Sequence, residues 1–157
     1  MLLRPVEDTD IDDVLALNER NVTMLAPMDE TKLRLLRGIA DRFDVIEVDG
    51  AFAGLVVTFA PGAPYDSPYY RWFSGRYDDF CYLDRIVLHE DLRRRGLGSA
   101  AYDEIESSAK QHGRMLLEVN LTPRNEPSLA FHAGRGYAEV GRLGDDVHLV
   151  SLQEKPL

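Results

Sequence analysis

Leu88-His89-Glu90-Asp91-Leu92-Arg93-Arg94-Arg95-Gly96-Leu97-Gly98-Ser99-Ala100-Ala101 joins an apolar, strand-like segment to an amphipathic helix through three arginines and two spaced glycines. A helix start exposes backbone N–H groups without intrahelical partners, together with the positive end of the helix dipole. Glycines at such a start let a phosphate approach the main chain, and arginines beside it add mobile positive charge. The stretch reads as an anion site, and its expected ligand carries phosphates.

The flanking sequence gives this site a frame. Phe80 to Leu88 reads as a strand, Gly96 to His112 as a helix ended by Gly113, and Arg114 to Asn120 as a second strand. Leu97, Ala101, Ile105 and Ala109 form the helix's apolar stripe. Strand, helix and strand in succession predict a right-handed crossover between two parallel strands, whose carboxyl ends face the helix start. Upstream, Leu2 to Arg4 reads as a strand, and Asp8 or Thr9 caps a helix carrying Ile11, Val14, Leu15 and Leu17. A second helix is predicted over Glu30 to Arg42 on Leu33, Leu36 and Ile39. Phe43 to Phe59 reads as two strands joined by a tight Asp49-Gly50 turn. Downstream, Asn125 and Pro127 open a helix over Glu126 to Arg135, and Gly136 to Arg142 pairs with Val147 to Leu152.

Ala60 to Asp79 reads as a long connection, broken by Pro61, Gly62, Pro64, Pro68 and Gly75 but dense in aromatic residues. It is either a satellite core or one wall of a substrate pocket, and the second reading nominates Tyr70 and Trp72 as substrate contacts.

At 157 residues the chain is long enough to bury a real core, and it reads as one mixed α/β domain over residues 1–157. Against 27 Asp and Glu stand 18 Lys and Arg, so the net charge of −9 disfavours a general nucleic-acid partner. The single cysteine, Cys81, allows no internal disulfide, and no Cys/His spacing resembles a metal site; a reduced cytoplasmic setting fits. No stretch approaches the roughly 20 apolar residues of a membrane span.

Two phosphate-binding rivals compete for the glycines. Gly96-x-Gly98-x-x-Ala101, with Glu118 further on, matches the loose dinucleotide fingerprint. In that fold the first glycine follows its strand almost directly, whereas here His89 to Arg95 intervene, and too little chain follows Ala101 for a second half. A P-loop needs Gly-Lys-Ser/Thr, which is missing.

Arg93-x-x-Gly96-x-Gly98 between a strand and a helix resembles the acyl-coenzyme A signature of the GNAT superfamily of N-acetyltransferases. Asn125-Glu126-Pro127-Ser128-Leu129-Ala130-Phe131-His132-Ala133-Gly134-Arg135-Gly136-Tyr137 is similar to the family's later block, and Leu3-Arg4-Pro5 to its opening. The resemblance implies a mixed, mostly antiparallel sheet of about seven strands flanked by about four helices, splayed between its central parallel strands. It implies acetyl-coenzyme A as co-substrate in that opening, no metal, and an acetyl group passed directly to a primary amine of a small molecule, amino acid or peptide. A noncatalytic acyl-coenzyme A sensor is the alternative, and a homodimer is compatible with the family. The diphosphate would meet backbone N–H groups from Arg94 through Arg95, Gly96, Leu97 and Gly98 to Ser99. The side chains of Arg93, Arg94 and Arg95 would reach the 3′-phosphate or stay solvated, and Asn125 would lie against the coenzyme. Ile86, Val87 and Leu88 would pair their backbone with the pantetheine arm, like an added strand.

An alkylammonium titrates near 10, so direct transfer needs a carboxylate, or a water bonded to one, to accept its proton. Asp84 is the first candidate: strand alternation sets it beside Tyr82, Ile86 and Leu88, where family members carry an acid. The competing reading pairs it with Arg85, Arg71 or Arg76. Glu47 and Glu118 are reserves, and Glu118 also stands as a substrate contact. The family commonly protonates the departing thiolate with a tyrosine at the place His132 holds here. Imidazole titrates near neutrality, so His132 is either a proton donor with a changed pH dependence or a half-buried residue bonded to backbone. In the latter case Tyr137 or a loop tyrosine substitutes.

Overall fold

A computed structural model describes residues 1–157 as seven strands and five α-helices. They are β1 (Leu2–Pro5), α1 (Ile11–Arg20), α2 (Glu30–Ile39), β2 (Arg42–Val48), β3 (Ala51–Phe59) and α3 (Pro68–Ser74), followed by β4 (Cys81–Leu88), α4 (Leu97–Ala109), β5 (Arg114–Thr122), α5 (Glu126–Gly134), β6 (Ala138–Gly144) and β7 (Leu149–Pro156). The strands form one sheet in the order β1-β2-β3-β4-β5-β7-β6. Only β4 and β5 run parallel, as the crossover through α4 requires. No helix is long and apolar enough to cross a membrane.

Local chemistry sets the boundaries. Asp29 caps α2 by accepting the Lys32 N–H at 2.7 Å, and Leu33 and Leu36 turn inward. The helix ends at Ile39 because Ala40 is extended, so Arg42, expected in the helix, opens β2 instead. Asp49 (φ 53°) and Gly50 (φ 76°) supply the two positive φ angles of the tight β2–β3 turn. The connection after β3 is not featureless, since Ser67 caps a short helix, α3, with Pro68 in its first turn. This fifth helix is one more than the sequence suggested. Trp72 of α3 lies against Gly141 of β6, where a Cβ would come within 2.6 Å of the indole. The docking of α3 therefore depends on a residue without a side chain.

The helices cover both faces of the sheet, and each face has its own core. Val14, Leu17, Leu33, Leu36, Tyr70 and Phe73 from α1, α2 and α3 pack with Phe59 and Tyr82 on one face. Ala101, Tyr102 and Ile105 of α4 pack with Leu83, Met115 and Leu117 on the other, joined by Leu129 and Phe131 of α5. Both faces are mainly apolar at the centre, as strands covered on two sides must be, with Asp44 and Arg85 as buried charged exceptions.

Candidate active site

β4 and β5 are paired only at Cys81↔Met115 and Tyr82↔Leu116. Beyond Tyr82 they part, and the edge of β4 that faces β5 has no strand partner up to Leu88. Asp84 and Glu118 stand at matching positions, each two residues past the last pair, on either side of this opening. β4 carries a bulge at the same place: Val57 and Thr58 of β3 pair with Arg85 and Leu83, leaving Asp84 as the extra residue. The bulge corrects the expected alternation. Tyr82 and Asp84 share the face of α1, α2 and α3, but Ile86 and Leu88 pack on the α4 side, while Val87 returns to the first core. Consecutive residues Asp84 and Arg85 consequently both reach the α1 face, which a regular strand forbids.

At the mouth of the opening on the α4 side lies the turn from Arg93 to Gly98. Arg94 (φ 63°) and Gly96 (φ 76°) are both left-handed, and a left-handed arginine stores strain that tends to sit at functional places. The backbone N–H groups of residues Arg94 to Ser99 donate to no protein group; the first to bond is that of Ala100, to the Gly96 carbonyl at 3.1 Å. Gly96 is demanded by its φ angle. Gly98 is not, since a Cβ there would meet only Leu88 Cδ1 at an ordinary 3.8 Å. A helical glycine that its own fold does not need leaves space directly in front of free amides, which fits a diphosphate. Arg94 and Arg95 are exposed, whereas the Arg93 guanidinium donates to Asn21 Oδ1 at 2.8 Å.

Acidic and aromatic groups line the other face. The Tyr82 hydroxyl donates to Glu118 Oε2 at 2.7 Å and lies 3.5 Å from Asp84 Oδ1. Asp84 has both oxygens occupied, Oδ1 by the Tyr65 hydroxyl at 2.9 Å and Oδ2 by Arg85 Nε at 3.2 Å. Burial pushes the Asp84 carboxyl up, against the pull of the Arg85 charge. Glu118 is pushed up to about 8, first by burial and then by the neighbouring Asp84 charge, while the Tyr82 hydrogen bond works the other way. Tyr65 stacks on Phe59 with ring centroids 4.0 Å apart, which fixes its hydroxyl over Asp84. On the rim, Asn120 of β5 touches Met24 Sδ (3.6 Å) and His148 Nε2 (3.2 Å), joining the α1–α2 connection to the β6–β7 turn. An unpaired edge, free amides on one face and two coupled carboxylates on the other can hold an extended phosphate-bearing donor and deprotonate an acceptor.

Residues 12–137 match the acetyltransferase (GNAT) family. The chain belongs to that family. Solved structures of the same fold include Ard1 from Thermoplasma volcanium, with 18% identity, TM-score 0.77 and coverage of 99% of this chain and 97% of that one. A ribosomal-protein-alanine N-acetyltransferase from Brucella melitensis aligns over the whole of both chains at 20% identity, with TM-score 0.70. Arabidopsis thaliana Naa50, in complex with the bisubstrate analogue CoA-Ac-MVNAL, aligns at 12% identity and TM-score 0.72, covering 99% and 98%. No curated protein matches the sequence. This GNAT chain is thus an acyltransferase, of a family that uses acetyl-coenzyme A.

Several residues nominated from this GNAT sequence have their side chains engaged with other protein groups or buried. His132 is buried between α4 and α5: its Nδ1 faces the Ser128 carbonyl at 2.7 Å and its Nε2 the Tyr102 hydroxyl at 2.7 Å. A carbonyl only accepts, so Nδ1 carries the proton and Nε2 accepts from Tyr102. Burial lowers the imidazole's pKa, against the opposite pull of the Ser128 hydrogen bond. Tyr137 is also buried, and its hydroxyl has no partner. Tyr70 donates to the Ala60 carbonyl at 2.6 Å and accepts the Ala63 N–H at 3.0 Å, holding its own connection together. Trp72 is sandwiched between Gly141 and the Arg76 guanidinium. Glu47 accepts from Arg4 Nε at 2.7 Å, toward the β1 edge. Asn125 caps α5 by accepting the Ser128 N–H at 3.3 Å. The Cys81 thiol is buried and pushed up to about 11, a filler and not a nucleophile. Sequence reasoning overlooked Tyr65 and Tyr82 as site residues, and no local signal marks the bulge that gathers their partners.

Proposed function

We propose that this acyltransferase moves an acetyl group directly from acetyl-coenzyme A to a primary amine, donor and acceptor meeting from opposite faces where β4 and β5 part. The observation that carries the reading is the coincidence of free main-chain amides at Arg94–Ser99 with the Asp84–Tyr82–Glu118 group across one opening. The amides of Arg94 to Ser99 would hold the diphosphate, with exposed Arg94 and Arg95 within reach of further phosphate. The unpaired edge of β4 at Ile86, Val87 and Leu88 would bond the pantetheine amides, as a sheet edge bonds an added strand. Acetyl-coenzyme A supplies the thioester carbonyl that the amine attacks.

Glu118, rather than Asp84, is the better proton acceptor. Asp84 already accepts on both oxygens, whereas Glu118 has a side-chain partner only on Oε2 and titrates near 8, within reach of an alkylammonium at working pH. Tyr82 orients that carboxylate. His132 belongs to the packing of α5 on α4 and not to proton donation. Amine acceptors are supported by the fold's recurrence in N-acetyltransferases, one of them named for ribosomal-protein alanine, and in Naa50, held with the bisubstrate analogue CoA-Ac-MVNAL.

The test is a thiol-release assay with purified protein, acetyl-coenzyme A and a panel of n-butylamine, leucinamide and an alanyl peptide amide. At least one amine should accelerate release, and Glu118→Gln should cut kcat/KM by about 10²- to 10⁴-fold without altering acetyl-coenzyme A affinity. Release indifferent to every amine, or full activity of the glutamine variant, contradicts the reading.

A further inference from the structure

Asp84 and Arg85 form a buried ion pair, with side chains 8% and 2% exposed. Such a pair seldom adds stability over apolar residues of the same size, so its presence beside the reacting groups calls for a positional explanation. Its bonds supply one. Arg85 Nη1 donates to the Ala26 carbonyl and to Asn18 Oδ1, each at 2.7 Å, and Asn18 Nδ2 donates to the same carbonyl at 3.1 Å. Ala26 lies in the irregular α1–α2 connection, where no backbone N–H from Ala26 to Asp29 bonds another backbone group. Its carbonyl is thus gripped from below while the preceding Met24 rests on Asn120. On the other side, Asp84 accepts from Tyr65, which belongs to the equally irregular stretch between β3 and α3. The bulge makes this possible by turning two consecutive residues of β4 to one face.

We infer that Asp84 and Arg85 act together as a clasp that fixes both irregular walls of the amine cleft, and that Arg85 is a positioning residue for the acceptor. This rests on the reading of that face as the amine side. Neither residue need touch the substrate. Their effect is to hold Ala26 and Tyr65 at a set distance across Glu118, so loss of the clasp weakens acceptor binding more than chemistry.

Arg85→Lys keeps the charge beside Asp84 but replaces a planar fork by one ammonium, which cannot span Asn18, Ala26 and Asp84 together. Tyr65→Phe cuts only the second tie and leaves the ion pair in place, so it carries the test if the lysine variant does not fold. Hydrogen–deuterium exchange of the free protein is the first readout. Exchange of the bonded amides in residues 21–25 should quicken about tenfold in Arg85→Lys, and of those of Ala63 and Ser67 in Tyr65→Phe, with residues 101–109 of α4 unchanged. The second is kinetic, using the fastest amine of the panel: KM for the amine should rise about tenfold, with kcat and acetyl-coenzyme A affinity held within about threefold. Unchanged exchange in those segments, an equal rise across the whole chain, or a loss confined to kcat overturns the clasp. Failure of the wild-type protein to bind acetyl-coenzyme A or to acetylate any amine would instead count against the proposed reaction, leaving the exchange result to stand for the clasp.

Discussion

If Glu118 is the proton acceptor proposed above, its surroundings set the reaction's pH range. Its carboxyl must be ionised to accept a proton, and burial beside Asp84 delays ionisation to about 8. The kcat/KM profile should therefore climb with pH and flatten near that value. Tyr82 donates to the carboxylate and so supports the ionised form; Tyr82→Phe removes that support, and the climb should move to higher pH by about one unit. A profile that Tyr82→Phe and Glu118→Gln both leave in place would assign the titration to the amine itself. The same shift touches stability, with a fixed sign. The folded state holds the Glu118 proton more tightly than the unfolded chain does. Its contribution is thus complete below the ordinary glutamate range and is lost as pH rises through about 8. At this scale the sequence was only partly legible. Asp84 and Glu118 could be nominated from strand placement, but their division of labour follows from Tyr65, Tyr82 and Arg85. Likewise His132 sits in a family position, yet its partner Tyr102 lies on another helix, and no spacing in the sequence joins them.

Among the elements, the turn into α4 separates what the fold needs from what a ligand needs. Gly96 needs its positive φ, so Gly96→Ala should destabilise the protein by about 1 kcal/mol. Gly98 is helical with open space before it, so Gly98→Ala should hold or raise Tm, in line with the ~0.5–1 kcal/mol by which alanine outranks glycine in helices. Thermal unfolding of the two variants checks this; equal losses would mean that Gly98 is a packing residue after all. The β2–β3 turn and the β4–α4–β5 crossover were readable because paired turn residues and a clean periodicity announce them. α3 was missed although Ser67-Pro68 is a fair helix start, because seven residues are too few for a periodic stripe to emerge among prolines and aromatics. The bulge at Asp84 leaves no trace in composition, and it is the feature that reverses the expected facing of Ile86 and Leu88.

For the whole molecule, the parting of β4 from β5 leaves a gap in a sheet covered on both faces. The α4 face brings arginines and free amides to a chain of net charge −9, and the α1–α3 face brings carboxylates and tyrosines. Around the opening itself, free amides with Arg94 and Arg95 suit an anionic donor, and Asp84 and Glu118 suit a cationic amine. That global arrangement was legible once the glycine turn was placed between a strand and a helix, whereas the width and lining of the acceptor side depend on contacts between distant segments. The most direct test of the central claim is isothermal titration of acetyl-coenzyme A into the wild-type protein and into Gly98→Trp at moderate salt. Binding in the micromolar range by the wild type, about 8 kcal/mol, with no detectable heat from a tryptophan variant of unchanged fold, is the predicted result. Equal affinity in the two proteins would contradict it.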